Sequence, residues 1–84
     1  MTEGAFEGRV ALVTGASRGI GLATARDLCA RGAKVAMLAR GAEELATAAA
    51  ELGDSALAIP TDVSVASQVE AAVSQVLTRW GRLD

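Results

Sequence analysis

Three glycines set the main constraint on this chain. They fall in Thr14-Gly15-Ala16-Ser17-Arg18-Gly19-Ile20-Gly21, between the apolar run Val10-Ala11-Leu12-Val13 and a segment of helical composition, Leu22 to Arg31. A short apolar run bounded by glycine reads as a buried parallel strand, and the segment after the glycines reads as a helix stopped by Gly32. Strand, glycine turn and helix in direct succession leave the N–H groups of the first helical turn without intrahelical partners. Such a turn suits the pyrophosphate of a dinucleotide. Gly15 lets the chain leave the strand, Gly19 removes a side chain from the phosphate approach, and Gly21 permits close packing of helix on strand. The spacing is Gly-x-x-x-Gly-x-Gly rather than Gly-x-Gly-x-x-Gly, and no Gly-Lys-Ser/Thr follows that would mark a nucleoside-triphosphate loop. Isolated, the motif would be a weak signal, and the alternative is that the three glycines serve as plain turn and cap residues; the strand–helix context favours the phosphate reading.

The rest of the chain repeats the same alternation. The first strand is expected at about Arg9–Thr14, with a helix opening at Gly19. On that helix Thr24, Asp27 and Arg31 form a polar stripe, while Ile20, Ala23, Leu28 and Cys29 are apolar or small. Asp27 and Arg31 stand at the favourable acid-before-base spacing. A second strand is expected over Lys34–Ala39 and a second helix over about Ala42–Leu52. That helix buries Leu45, Ala48, Ala49 and Leu52, turns Glu43, Glu44, Thr47 and Glu51 to water, and ends at Gly53. A third strand, Ala56–Ile59, closes at Pro60. Ser64 is the expected N-cap of a third helix whose core face is Val65, Val69, Ala72, Val73, Val76 and Trp80. Repeated β-α units predict an α/β fold, a Rossmann-type doubly wound parallel sheet in order 3-2-1 with flanking helices across residues 1–84. In that order the first strand keeps one unpaired edge, where a fourth strand is expected in a longer polypeptide.

Composition narrows the partners. Phe6 and Trp80 are the sole aromatic residues and the net charge is −2, so neither base stacking nor a basic patch offers a nucleic-acid surface. The apolar runs are too short to span a bilayer, and Met1–Gly8 lacks the apolar core of a secretory signal. Cys29 is alone and histidine is absent, which argues against a disulfide or a metal centre. Cys29 itself reads as a small buried hydrophobe. A cytoplasmic α/β domain is the resulting expectation.

Charge at the end of the second strand bears on cofactor choice. An Asp or Glu there accepts from the ribose 2′-hydroxyl of NAD. This strand instead ends Leu38-Ala39-Arg40-Gly41. Arg40 is placed to donate to the 2′-phosphate of NADP, and Arg18, inside the glycine loop, to approach it from the other side. One charge-assisted hydrogen bond of this kind is worth roughly 1.5–3 kcal/mol, about ten- to a hundredfold in affinity. The expected cofactor is therefore NADP ahead of NAD, unless both arginines are merely solvated. Lys34, at the other end of its strand, is expected at the surface.

With the glycine motif near the N-terminus, Asp62-Val63 after the third apolar run and Trp80-Gly81-Arg82-Leu83-Asp84 at the end, residues 7–84 resemble the short-chain dehydrogenase/reductase family. The match is to its Thr-Gly-x-x-x-Gly-x-Gly branch, and within it to 3-oxoacyl-acyl-carrier-protein reductases. The resemblance implies that Thr14 braces the loop, Ser17 donates to phosphate and Ile20 lies beneath the pyrophosphate. It also implies that Asp62 accepts from the adenine amino group and that the Val63 N–H faces the adenine edge. An acid before a helix also favours the helix dipole without any ligand. The family's reaction is hydride transfer between nicotinamide and a carbonyl or alcohol, in proteins that are commonly homo-oligomers. Its catalytic Tyr and Asn have no counterpart in a chain without either residue, Lys34 is the one lysine, and no serine matches the catalytic one. No catalytic residue is assigned. The expected role is the cofactor-binding N-terminal part of such an oxidoreductase. The alternatives are a non-catalytic dinucleotide-binding module and a truncation without function.

Overall fold

The computed structural model describes residues 4–84; the reading of Met1–Gly8 falls partly outside them. Three strands, β1 (Val10–Thr14), β2 (Lys34–Ala39) and β3 (Ala56–Pro60), alternate with helices α1 (Gly19–Ala30), α2 (Ala42–Leu52) and α3 (Ala66–Trp80). The strands form one parallel sheet in the order β1-β2-β3, the expected 3-2-1 arrangement.

The central strand explains the layering. Side chains alternate across a sheet, so a strand covered on both faces is apolar at every position. Along β2, Val35 and Met37 pack with Ala25, Leu45, Ala48 and Ala49 of α1 and α2. Ala36 and Leu38 pack on the opposite face with Val10, Ile59 and with Ala72 and Val76 of α3. Val35, Met37, Leu38, Leu45 and Val76 are the largest fully buried side chains. Each contributes about 1.5–3 kcal/mol through removal from water.

Helix ends follow the glycines. At the end of α1 the Gly32 N–H donates to Cys29 O (3.0 Å) and the Ala33 N–H to Leu28 O (3.0 Å), with Gly32 at φ +97°. These two bonds, with a left-handed glycine, satisfy carbonyls the helix itself leaves open. The Asp27–Arg31 pair forms at 3.2 Å. Of the described glycines, Gly21 has the closest surroundings. A Cβ there would overlap the Gly15 carbonyl oxygen and stand 2.7 Å from the Gly15 carbonyl carbon.

Two local expectations are corrected. The third helix starts at Ala66 with Val65 in the N-cap position, because Ser64 is engaged by Asp62 instead. Val65 consequently lies outside the core face, 37% exposed. On α1, Ile20 and Ala23 point away from the sheet, and Ala25 with the half-buried Leu22, Leu28 and Cys29 makes the packed face. The Cys29 thiol approaches the Ser55 carbonyl oxygen (3.9 Å), and burial pushes its pKa up, which disfavours the thiolate.

The outer edge of β1 meets the last residue of the sequence. The Asp84 N–H donates to Val10 O (2.8 Å), and the Val10 N–H donates to Asp84 Oδ2 (2.9 Å). Arg82 holds the same carboxylate through its guanidinium.

Candidate functional site

In a parallel sheet all strands end on the same side. Register places Thr14 opposite Leu38 and Leu38 opposite Ile59, so the three following loops emerge together. The crevice outside those carboxyl ends is where open α/β sheets take ligands. Here it is a cavity of about 400 Å³ lined by Gly15, Leu38, Ala39, Arg40 and the stretch Thr61 to Ser64. Gly15, Arg40, Asp62 and Val63, far apart in sequence, thus share one cleft. A second cavity of about 480 Å³, between Leu57 and the α3 residues Ser74, Gln75, Thr78 and Arg79, contains none of the expected site residues.

The glycine loop runs along this edge. Thr14 is the exposed last residue of β1. Gly15 turns at φ +61°, which a side chain disfavours, and the Ala16 N–H then donates to Leu38 O (3.1 Å), carrying the sheet bonding one step past the turn. Arg18 is extended and precedes the first turn of α1, and Gly19 follows at φ +59°. Among the described residues, and apart from its chain neighbours and its own helix backbone, no heavy atom lies within 4 Å of where a Cβ at Gly19 would stand. Ile20 is 87% exposed at the same helix start. The first turn of α1 has no acidic residue and no side-chain cap, so its N–H dipoles remain uncompensated from within.

The third loop is pre-shaped by its own polar groups. Ser64 places both its hydroxyl (2.6 Å) and its N–H (3.0 Å) on Asp62 Oδ1. These two bonds, with the nearby Arg40 charge as a lesser contribution, hold the Asp62 carboxyl below the usual carboxylate range. Asp62 Oδ2 and the Val63 N–H carry no hydrogen bond among the described residues. The Asp62 N–H donates to Gln68 Oε1 (2.7 Å), and the buried Thr61 hydroxyl donates to Ile59 O (2.8 Å).

Two contributors escaped the sequence reading. Gln68 is the third residue of α3, where a capping-box side chain reaches back toward the preceding loop; that position was a usable signal. Glu44, expected to face water, is exposed but accepts from the Ser17 hydroxyl at 3.0 Å and lies 3.6 Å from Arg18 Nε. The Ser17 hydroxyl is therefore engaged by Glu44.

Among the described residues no group of three His, Cys, Asp or Glu side chains is placed to hold a metal, and no helix is long and apolar enough to cross a membrane.

Comparison with known proteins agrees with this geometry. The short chain dehydrogenase family profile matches residues 9–84. A sorbitol dehydrogenase of Cereibacter sphaeroides is 40% identical over 79 residues, covering 94% of this chain and 31% of that protein. A cis-4-hydroxycyclohexanecarboxylate dehydrogenase of Sinomonas cyclohexanicum is 45% identical over 82 residues, covering 95% of this chain and 33% of that protein. The crystal structure of a 3-ketoacyl-(acyl-carrier-protein) reductase from Brucella melitensis, complexed with NADH, superposes with a TM-score of 0.93 at 40% identity, covering 95% of this chain and 33% of that one. The chain spans about a third of the length of the proteins it matches. By sequence profile and by superposition alike, it belongs to the short-chain dehydrogenase family.

Proposed function

We propose that this chain binds the adenosine and pyrophosphate portion of NADP(H) for an oxidoreductase that interconverts a carbonyl and an alcohol. The observation carrying this reading is the open position at Gly19, beside the uncompensated start of α1 and the edge of the crevice. A site with free N–H dipoles and room for phosphate oxygens fits a dinucleotide. When bound, the cofactor supplies the hydride chemistry.

The chain's own residues divide the binding work. Gly15, Gly19 and Gly21 shape the phosphate turn, with Thr14 at its base and Ser17 on its flank. Ile20 offers an apolar surface beneath the pyrophosphate. Asp62, through its unused Oδ2, and the Val63 N–H present an acceptor and a donor to the adenine edge. Arg40 and Arg18 face the 2′-phosphate. Residues 1–84 form the dinucleotide-binding segment, and no residue in it is assigned a proton-transfer role. The family resemblance further suggests a homo-oligomer for the whole protein.

The Brucella melitensis reductase was crystallised with NADH. Preference for NADP rests here on Arg40, which lines the crevice just past β2, where an NAD site commonly places an acid. Arg40→Asp is expected to weaken NADPH binding by about tenfold or more, and NADH binding much less. Fluorescence titration with each reduced cofactor reads the difference. Equal losses for both would remove Arg40 from the 2′-phosphate role.

A further inference from the structure

We propose that Glu44 tunes cofactor preference by competing with the 2′-phosphate for Ser17 and Arg18. The proposal rests on the dinucleotide reading above and goes beyond it by assigning a residue that opposes NADP. One carboxylate oxygen, Glu44 Oε1, accepts from Ser17 Oγ at 3.0 Å and lies 3.6 Å from Arg18 Nε. Glu44 is the third residue of α2, four positions after Arg40, so the helix that follows one cation of the site carries the anion that holds the other.

The charges around the crevice explain why this matters. Arg18 and Arg40 are the cations expected to meet a 2′-phosphate. Each already has a carboxylate neighbour: Glu44 for Arg18, and Asp62 in the field of Arg40. The four formal charges sum to zero, so a dianionic 2′-phosphate enters a site whose cations already face carboxylates. To engage Arg18 and Ser17 it must displace Glu44 or share them with a like charge. A 2′-hydroxyl carries no such requirement. The Arg18–Glu44 pair is exposed on both sides, so water and salt weaken the competition, which biases preference without blocking entry.

A charge series on the intact protein tests this by calorimetric titration. The probes are adenosine 2′,5′-bisphosphate and 5′-AMP, which differ by the 2′-phosphate alone. Glu44→Gln keeps an oxygen for Ser17 and removes the charge, while Glu44→Lys reverses it. The affinity ratio of the bisphosphate to 5′-AMP is expected to rise about five- to tenfold in Glu44→Gln and further in Glu44→Lys, with both gains shrinking as salt is added. Circular dichroism of each variant confirms folded helices. A ratio unchanged across the series in folded protein overturns the role of Glu44 and leaves the dinucleotide reading standing. Folded wild-type protein that binds neither nucleotide overturns that reading and this proposal together.

Discussion

Gly21→Ala is expected to destabilise the protein by about 2–3 kcal/mol and to lower its melting temperature on the order of 10–20 °C for a domain of this size. Two effects of opposite sign meet at this position. Alanine is the better helix former by up to about 1 kcal/mol, and Gly21 lies in the first turn of α1, so propensity alone favours the change. Against that, the new methyl group would overlap the Gly15 carbonyl oxygen and crowd Ala16 Cα at 3.1 Å. Both neighbours are backbone, and neither can swing aside as a side chain does. Relief requires α1 to move off the sheet, which loosens the packing of fully buried Ala25 and Ala16. The steric cost therefore outweighs the propensity gain. A thermal melt followed by circular dichroism decides it, and an unchanged or higher melting temperature would show that the helix does not need this close approach.

Gly19→Val acts at the ligand, and the expected result is loss of detectable binding of NADPH and NADH alike, a drop of at least about a hundredfold. Among the described residues, none outside the local backbone comes within 4 Å of a Cβ placed here, so the side chain would stand where phosphate is proposed to bind. Valine also strains the backbone at φ +59°, which by itself costs about 1–2 kcal/mol. Gly19→Asn separates the two effects, since asparagine tolerates left-handed φ while still filling the space. Both variants are expected to lose cofactor, with the asparagine form melting close to wild type. Retained affinity in a folded Gly19→Asn protein would remove the glycine loop from the phosphate role.

The two predictions draw on one eight-residue motif, and the ease of reading that motif has a physical basis. Glycines at fixed offsets report backbone geometry, which is local. The same holds for β2 and α2, whose expected limits, Lys34–Ala39 and Ala42–Leu52, are those observed. β2 is a continuous apolar run closed by Arg40-Gly41, and α2 a helical-period run closed by Gly53. The α3 start failed because Ser64 had two local partners to choose between. A serine before a helix can cap it, but Asp62 two residues earlier takes both the hydroxyl and the N–H. On α1 the expected polar stripe is exposed at Thr24 and Asp27, but the helix is otherwise nearly uniform in small and apolar residues, so its pattern alone does not mark the buried side. Close approach at Gly21 fixes which face meets the sheet, and Ile20 is left outside. Glu44 was legible as an exposed acid and illegible as a partner of Arg18. The contact joins elements 26 residues apart, and helical periodicity carries no information about that distance.

The shared register of the strands has a consequence for how the protein changes between lineages. Each strand hands its site residues to the crevice just after its last well-packed rung. Arg40 follows fully buried Leu38 by two positions, and Asp62 follows buried Ile59 by three. Packed interior and exposed tips are thus physically separable. Substitutions at exposed tips usually alter stability by less than about 0.5 kcal/mol. Under the proposed binding roles, a single charge at the same place is expected to shift nucleotide affinity by about tenfold. On the proposed reading, one or two substitutions at these tips would exchange one cofactor for the other while the packed scaffold beneath them stays unchanged.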